Sequence, residues 1–174
     1  MAGQVLITDP HGRERRVEKA GERYPAEWTF RLKGDPRRFA SRAGDKLDGA
    51  LDAFGIDVAH RVCADIGISS GGFTDCLLSR GARRVHGVDV AYGTVDLRLR
   101  EDPRVTLYER TNARLLGPNA FGEPVEVAVI DVSFISVTAI VKPVTDQLAP
   151  TGSLVILVKP QFEASRHQVG PGGS

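Results

Sequence analysis

From residue 61 onward, short apolar runs alternate with segments whose apolar positions recur at helical spacing. The apolar runs predict five strands, which cover residues 61–67, 84–90, 105–109, 126–132 and 153–160. Helical patterns cover residues 71–81, 94–100 and 135–148, and we expect Pro143 to break or kink the last helix. Strands that alternate with helices predict an α/β fold with a parallel sheet, in which ligands gather at the carboxyl ends of the strands.

The residues before this alternating pattern form two different segments. Leu47, Ala50, Leu51 and Phe54 recur at helical spacing and predict an amphipathic helix over residues 44–54. The first forty residues contain GQVLI, the turn DPHG and EWTFRLKG, a pattern typical of a small β-rich piece that is too short to fold well alone. We therefore divide the chain into a small module at 1–40 and an α/β domain at 41–174.

Charge is distributed unevenly along the chain. Residues 1–46 carry 11 Lys/Arg and 7 Asp/Glu, whereas residues 47–174 carry 12 and 15. A basic N-terminal segment followed by a mildly acidic remainder is typical of a protein that binds a polyanion, although a solvated charged surface gives the same pattern. No apolar stretch approaches the roughly 20 residues that span a bilayer, and the start does not resemble a signal peptide. We expect a cytoplasmic chain, with no membrane partner, whose Cys63 and Cys76 are buried and reduced.

The stretch DIGISSGG at 65–72 predicts a ligand-binding turn between a strand and a helix. Asp65 ends the strand, and Gly67 and Gly71 allow a ligand to approach the backbone near Ser69. A dinucleotide fingerprint would need G-x-G-x-x-G, but the spacing here is G-x-x-x-G-G with an acid before it. A carboxylate repels a pyrophosphate but can hold the cationic end of S-adenosylmethionine (SAM), directly or through water. The turn favours SAM, while close packing of helix on strand would also explain it.

Two polar residues after the following strands predict contacts with an adenosine. Asp89 ends the second strand, where a carboxylate can accept hydrogen bonds from both ribose hydroxyls. Asn112 follows the third strand and is placed to contact the adenine edge. A helix-capping aspartate and a turn asparagine are the alternatives. NAD and SAM share the ribose contact, so Asp89 indicates an adenosine cofactor without deciding which one.

Three further residues are expected to meet at the same edge of the sheet. Asp131 ends the fourth strand, Lys159 ends the fifth, and Lys46 lies near the start of the helix before the first strand. A lysine after a run of apolar residues needs a partner, and Asp131 on a neighbouring strand would supply one. The pair is either one buried salt bridge or a lysine placed to accept a proton from a substrate hydroxyl.

Several motifs together resemble the TlyA/hemolysin-A family of ribosomal RNA 2′-O-methyltransferases, which are related to the FtsJ-like enzymes. They are SRAGDKLDGALDAFGI, DIGISSGGFTDCLLSRGA, VDVAYG, DPRV, ERTNAR, VIDVSFIS and LVKPQFEA, and the resemblance runs nearly without a gap from Ser41 to Gly170. The front resembles part of the RNA-binding module of that family. The resemblance implies a Rossmann-like SAM-dependent domain that methylates a ribose 2′-hydroxyl, on cytidines of rRNA in ribosomal subunits.

The resemblance also implies a catalytic set of Lys-Asp-Lys-Glu. Its first three members fall on Lys46, Asp131 and Lys159, and no metal ion is required. The family's glutamate lies further downstream, and we do not assign that role to Glu163, which belongs to the VKPQFE motif. The last two strands of the usual seven, and two helices before the front, are expected to be missing, which leaves open an inactive RNA-binding remnant.

Three arginines near Lys46 are candidates for gripping RNA phosphates, and they are Arg37, Arg38 and Arg42. A solvated basic linker is the alternative. An NAD-dependent oxidoreductase is disfavoured by the glycine spacing and by the lack of a clear catalytic His or Tyr pairing. A membrane-lytic protein is disfavoured because the sequence contains no bilayer-spanning or strongly amphipathic lytic segment. We expect the chain to be a monomer.

Overall fold

The computed structural model describes residues 5–19, 21–32 and 38–164, and the chain divides into two compact units, Met1–Arg37 and Arg38–Ser174. The first unit is a three-stranded antiparallel sheet in the order β2-β1-β3. Its strands are β1 (Val5–Thr8), β2 (Glu14–Arg16) and β3 (Thr29–Leu32). The DPHG turn joins β1 to β2, and the Asp9 carbonyl accepts from the Gly12 N–H at 2.9 Å. The predicted β-rich piece is therefore present.

The second unit is a parallel five-stranded sheet in the order β6-β5-β4-β7-β8. Its strands are β4 (Val62–Ile66), β5 (Arg84–Val88), β6 (Val105–Tyr108), β7 (Val125–Ile130) and β8 (Leu148–Ile156). Its helices are α1 (Ala43–Phe54), α2 (Gly72–Ser79), α3 (Leu97–Arg100), α4 (Thr138–Thr145) and α5 (Pro160–Glu163), with a 3-10 turn at Ala113–Leu115. The strand order reverses between β4 and β7, and the crevice at such a switch point is where ligands bind in open α/β sheets.

Each face of the sheet buries its own apolar cluster. Cys63 of β4 packs in the cluster that contains Leu47 of α1 and Leu77 of α2, whereas Ile66 faces the cluster that contains Ile140 of α4. This alternation follows from the period of two along a strand. Both cysteines are buried and unpaired, as the sequence predicted, and burial raises the pKa of each thiol to about 12.

A break at Pro143, one of the two expected outcomes, is not seen. Pro143 lies inside α4, which continues to Thr145, and the Asp146 N–H still donates to the Lys142 carbonyl at 3.0 Å. The helix persists because Ile140 and Val144 are buried against the sheet, and this packing outweighs the one hydrogen bond that proline cannot donate.

Two element boundaries also differ from the sequence prediction. Strand β8 begins at Leu148 rather than at 153, and its pairing with β7 shifts register between Val125 and Val127. Helix α3 is confined to four residues, because Asp96 caps its start by accepting from the Arg98 N–H. Every helix in the described residues is too short or too polar to cross a membrane.

Candidate functional site

Two adjoining cavities open at the carboxyl ends of the parallel strands. The large cavity has a volume of about 500 Å³ and is lined by residues that follow β4, β5, β6 and β7, with Ile140 of α4. The small cavity, of about 140 Å³, lies against the starts of α1 and α2 and includes Lys159. Both cavities are lined by four shared residues, which are Gly67, Ser69, Asp131 and Ser133.

The glycine turn forms part of the wall of both cavities. Gly67 has φ +89°, and a Cβ at this position would collide with the carbonyl oxygen of Asp131, so only glycine fits between the ends of β4 and β7. Ser69 also has a left-handed φ of +51° and is exposed at the cavity surface. The turn therefore brings the bare backbone of Gly67 to the wall of both cavities.

Asp89 follows β5 and anchors the turn to the strand beside it. Its Oδ2 accepts from the Ser69 N–H at 2.8 Å, and its Oδ1 accepts from the Ala91 N–H at 2.9 Å. An ionised carboxylate has about four acceptor sites, so both oxygens can still accept from a ligand. Asp89 lines the large cavity.

Asn112 lies beyond β6 and lines the large cavity together with Thr111 and Ala113. Its Oδ1 caps the following 3-10 turn by accepting from the Arg114 N–H at 3.0 Å. The turn-asparagine alternative is thus partly correct. Because the cap uses only the oxygen, the side-chain NH₂ is available as a donor to a ligand.

Asp131 and Lys159 meet where the two cavities join. Asp131 directly follows β7, Lys159 lies three residues past β8, and these two strands are adjacent, as predicted. The Lys159 Nζ lies 2.6 Å from Asp131 Oδ1 and donates to Ser133 Oγ at 2.8 Å. Asp131 Oδ1 has no aligned hydrogen-bond donor within the described part of the chain, so the contact is an ion pair rather than a directed hydrogen bond.

Lys46 lies on α1, one turn after Ala43, which lines the small cavity. Its side chain is exposed and makes no hydrogen bond or ion pair with the described residues. The structure thus brings the helix of Lys46 to the site without placing its ammonium group against Asp131 or Lys159.

Asp65 is not at the surface of either cavity. Its side chain is buried, 1% exposed, and Thr74 Oγ1 of α2 donates to its Oδ2 at 2.7 Å. The cavity lining therefore gives no support for the expected contact with a ligand, directly or through water, because residue 65 faces α2 and lies behind the turn. Burial raises the pKa of Asp65 to about 7, and the charges of Asp131 and Asp89 add to this shift.

Gly71 and Glu163 have structural contacts. Gly71 caps the start of α2 with φ +95° and packs against Leu99, so it shapes the turn from behind and lines neither cavity. The Glu163 carboxylate accepts from the Val137 N–H at 2.8 Å and from Ser136 Oγ at 2.6 Å. It therefore caps α4, which agrees with leaving Glu163 out of the catalytic set.

The three predicted RNA-binding arginines have different surroundings. Arg37 lies outside the described residues. Arg38 pairs with Asp48 of α1, and its guanidinium lies 4.7 Å from the Phe39 ring centre. Arg42 is exposed at the start of α1. The contacts of Arg38 give it a structural role beside any phosphate contact.

Sequence reasoning missed three cavity residues. Ser133 lies two residues after Asp131 and contacts Lys159, whereas Phe134 is 91% exposed with φ +67°. Thr94 follows Gly93 and donates to the Ser69 carbonyl at 3.0 Å. The motifs that contain these residues are visible in the sequence, but the sequence of a loop does not indicate which way a given side chain points.

The fold and the site define an α/β protein with a cavity at the switch point of a parallel sheet and a lysine–aspartate pair beside that cavity. A sequence model of FtsJ-like methyltransferases matches residues 39–174, and the chain belongs to this family.

Similar proteins carry related names. The chain is 44% identical over 175 residues to the "Putative rRNA methyltransferase YqxC" of Bacillus subtilis, a match that covers 99% of this chain and 60% of that protein. It is 50% identical over 137 residues to the 16S/23S rRNA (cytidine-2′-O)-methyltransferase TlyA of Mycobacterium tuberculosis, which covers 79% of this chain and 51% of TlyA. A solved structure, "Putative hemolysin from Streptococcus thermophilus", is 41% identical with a TM-score of 0.76, and the match covers 95% of this chain and 60% of that one. The chain thus spans about half to three fifths of the length of these relatives.

Proposed function

We propose that the chain is a SAM-dependent methyltransferase that modifies a ribose 2′-hydroxyl in ribosomal RNA, on a cytidine. The membership in the FtsJ-like family supports methyl transfer. The names of the relatives, in particular the cytidine-2′-O-methyltransferase TlyA, support the nucleotide and the position. The adjoining cavities support a reaction between two bound partners.

The residues of the large cavity fit the adenosine half of SAM. Its volume of about 500 Å³ lies within the usual range for small-molecule sites, roughly 300–1,000 Å³. Asp89 would accept from the ribose hydroxyls, and the NH₂ of Asn112 would contact the adenine edge. Apolar side chains such as Val88, Ala113 and Ile140 would pack on the base. Gly67 and Ser69 would contact the methionine half through their backbone.

The polar pair would carry the proton. When bound, SAM supplies a methyl group on a positively charged sulfur. Lys159 would accept the proton of the ribose 2′-hydroxyl at Nζ after it has released its own proton from the pair with Asp131 to solvent. Asp131 orients Lys159 and offsets its charge after it is protonated. Lys46 steers the hydroxyl from α1, and fixing both partners side by side supplies much of the rate.

The ion pair between Lys159 and Asp131, 2.6 Å long and located where the cavities join, carries this proposal. A structural salt bridge would not need to border two adjoining cavities. This pair borders both of them, which supports a role in the reaction between their occupants.

Substitution of Lys159 tests the proposal. We expect Lys159→Ala to lower methyl transfer from labelled SAM to ribosomal RNA by about 100-fold or more. The SAM dissociation constant should change less than about 2-fold, since Lys159 does not line the large cavity. Mapping of 2′-O-methylcytidine in the RNA identifies the product.

Lys142→Ala is the matched control, because Lys142 also forms a lysine–aspartate pair, with Asp146 at 2.6 Å, but lines neither cavity. It should leave transfer unchanged. Near-normal transfer by Lys159→Ala would contradict the assignment of this lysine. A wild-type chain that binds SAM and RNA without transfer would favour the RNA-binding alternative.

A further inference from the structure

The loop at residues 90–96, between β5 and α3, forms one wall of the large cavity. Val90, Ala91 and Thr94 line the cavity directly. Val95 anchors the end of the loop, since it is 6% exposed and packs in the cluster that contains Leu99. Val90 is 69% exposed and Tyr92 is 65% exposed, so hydrogen bonds contribute more to holding this part of the wall.

On one side, the 90–96 loop is fastened to the glycine turn. Thr94 Oγ1 donates to the Ser69 carbonyl at 3.0 Å, and the Asp96 N–H donates to the Ser70 carbonyl at 3.2 Å. These bonds connect the loop to the part of the site that faces the methionine half of the cofactor.

On the other side, the Glu109 carboxylate holds the 90–96 loop together with Arg110, whose N–H donates to the Ala91 carbonyl at 3.2 Å and whose guanidinium lies 4.5 Å from the Tyr92 ring centre. Glu109 directly follows β6, and its Oε1 accepts from the Gly93 N–H at 2.7 Å. The same side chain binds both terminal nitrogens of Arg100 at 2.6 and 3.0 Å. Glu109 is only 10% exposed, so it is a nearly buried, fully engaged carboxylate rather than a surface charge.

The charge state of Glu109 is consistent with this arrangement. The Arg100 guanidinium and then the Gly93 N–H hold the pKa of Glu109 below its usual value. The ionised carboxylate therefore accepts from both groups at neutral pH. Through Arg100, Glu109 also fastens α3 to the end of β6, so both ends of the loop are fixed.

We infer that Glu109 is a positioning residue for the adenosine half of the cofactor, acting through Gly93 on the 90–96 loop. Glu109 does not line the cavity, so it has no direct contact to offer a ligand there. The inference rests on the proposed binding of SAM in the large cavity. The inference predicts that removal of the Glu109 carboxylate lowers the affinity for the adenosine half of the cofactor.

Asp102 provides a matched control within the same part of the chain. Its carboxylate also pairs with an arginine, Arg104, at 2.7 Å and also accepts a backbone N–H, from Arg104 at 2.9 Å. It is 18% exposed, but it contacts no residue that lines the cavity. Asp102→Ala therefore removes the same kind of interaction without touching the 90–96 loop.

The test is calorimetric titration of the full chain with adenosine and with SAM. We expect Glu109→Ala to raise the dissociation constants of adenosine and SAM by the same factor, about 10-fold or more, because one wall of the cavity is no longer held in place. Glu109→Gln keeps an acceptor for the Gly93 N–H and should raise them only about 3-fold. Asp102→Ala should match the wild type. In methyl transfer, Glu109→Ala should raise the KM for SAM and leave kcat unchanged.

The outcomes separate this inference from the proposed function. Glu109→Ala with wild-type dissociation constants for adenosine and SAM would overturn the inference. So would an Asp102→Ala variant that loses as much affinity as Glu109→Ala. Neither result would contradict the proposal that the wild-type chain binds SAM. A wild-type chain that binds neither adenosine nor SAM would overturn both. If Glu109→Ala does not fold, an unchanged adenosine dissociation constant in Glu109→Gln would overturn the inference.

Discussion

Burial of the Asp65 carboxyl makes the stability of the fold depend on pH. Asp65 is buried behind the glycine turn with one hydrogen-bond donor, Thr74, and its Oδ1 has no partner among the described residues. Its pKa of about 7 exceeds the ordinary value near 4, so the folded chain binds this proton more tightly than the unfolded chain. Ionisation of Asp65 therefore destabilises the fold as the pH rises from about 4 to about 7.

We expect Asp65→Asn to stabilise the chain at pH 8. The amide cannot ionise, and its oxygen can still accept from Thr74. Removing a shift of about three units raises the free energy of unfolding by up to about 4 kcal/mol. Urea unfolding at pH 8 and pH 5 checks this.

The gain in Asp65→Asn should be about 2 kcal/mol smaller at pH 5, where the folded wild type already holds the proton. An equal gain at both pH values would show that ionisation of Asp65 is not the cause. Thr74→Ser, which keeps the donor, is a suitable control for packing at this position.

At the scale of a single element, Pro143 affects the stability of helix α4. Beyond the first turn of a helix, proline lacks the N–H that would bond to the carbonyl four residues earlier, here that of Ala139, and its ring crowds that carbonyl. Pro143→Ala restores this bond, while it also frees the unfolded chain. We expect a net gain of about 1–2 kcal/mol in the free energy of unfolding, measured by urea titration. A loss of stability would mean that the ring itself packs better than alanine.

Much of the architecture at this scale could be predicted from the sequence. Periodicity located β4, α2, β5 and β7, and the adjacency of β7 and β8 placed Asp131 beside Lys159. The direction of Asp65 could not be predicted, because one residue of register decides which face of the sheet a side chain occupies. The contacts of Glu109 and Ser133 depend on the paths of loops far apart in sequence, which no local pattern encodes.

At the scale of the whole molecule, the two units differ in core size. Within the described residues, the first unit has Leu6 and Ile7 as its buried hydrophobics, whereas the second unit has a cluster on each face of its sheet. The single tryptophan of the chain, Trp28, belongs to the first unit. Tryptophan fluorescence therefore reports the first unit, and far-UV circular dichroism reports mainly the second.

We expect the fluorescence transition to occur at a lower urea concentration than the circular dichroism transition, since less apolar surface stabilises the first unit. The Trp28→Phe variant, followed by circular dichroism alone, shows whether the probe residue itself affects the fold. Coincident transitions would mean that the two units unfold as one.

The contact between Gly67 and the Asp131 carbonyl ties two loops that are more than sixty residues apart in the chain. During evolution, the sequences of the two loops therefore constrain each other. Any side chain at position 67 must push away the backbone that carries Asp131, so one substitution would disturb both ligand spaces together. Redesign of this cofactor turn for another ligand would therefore have to rebuild the end of β7 in the same step.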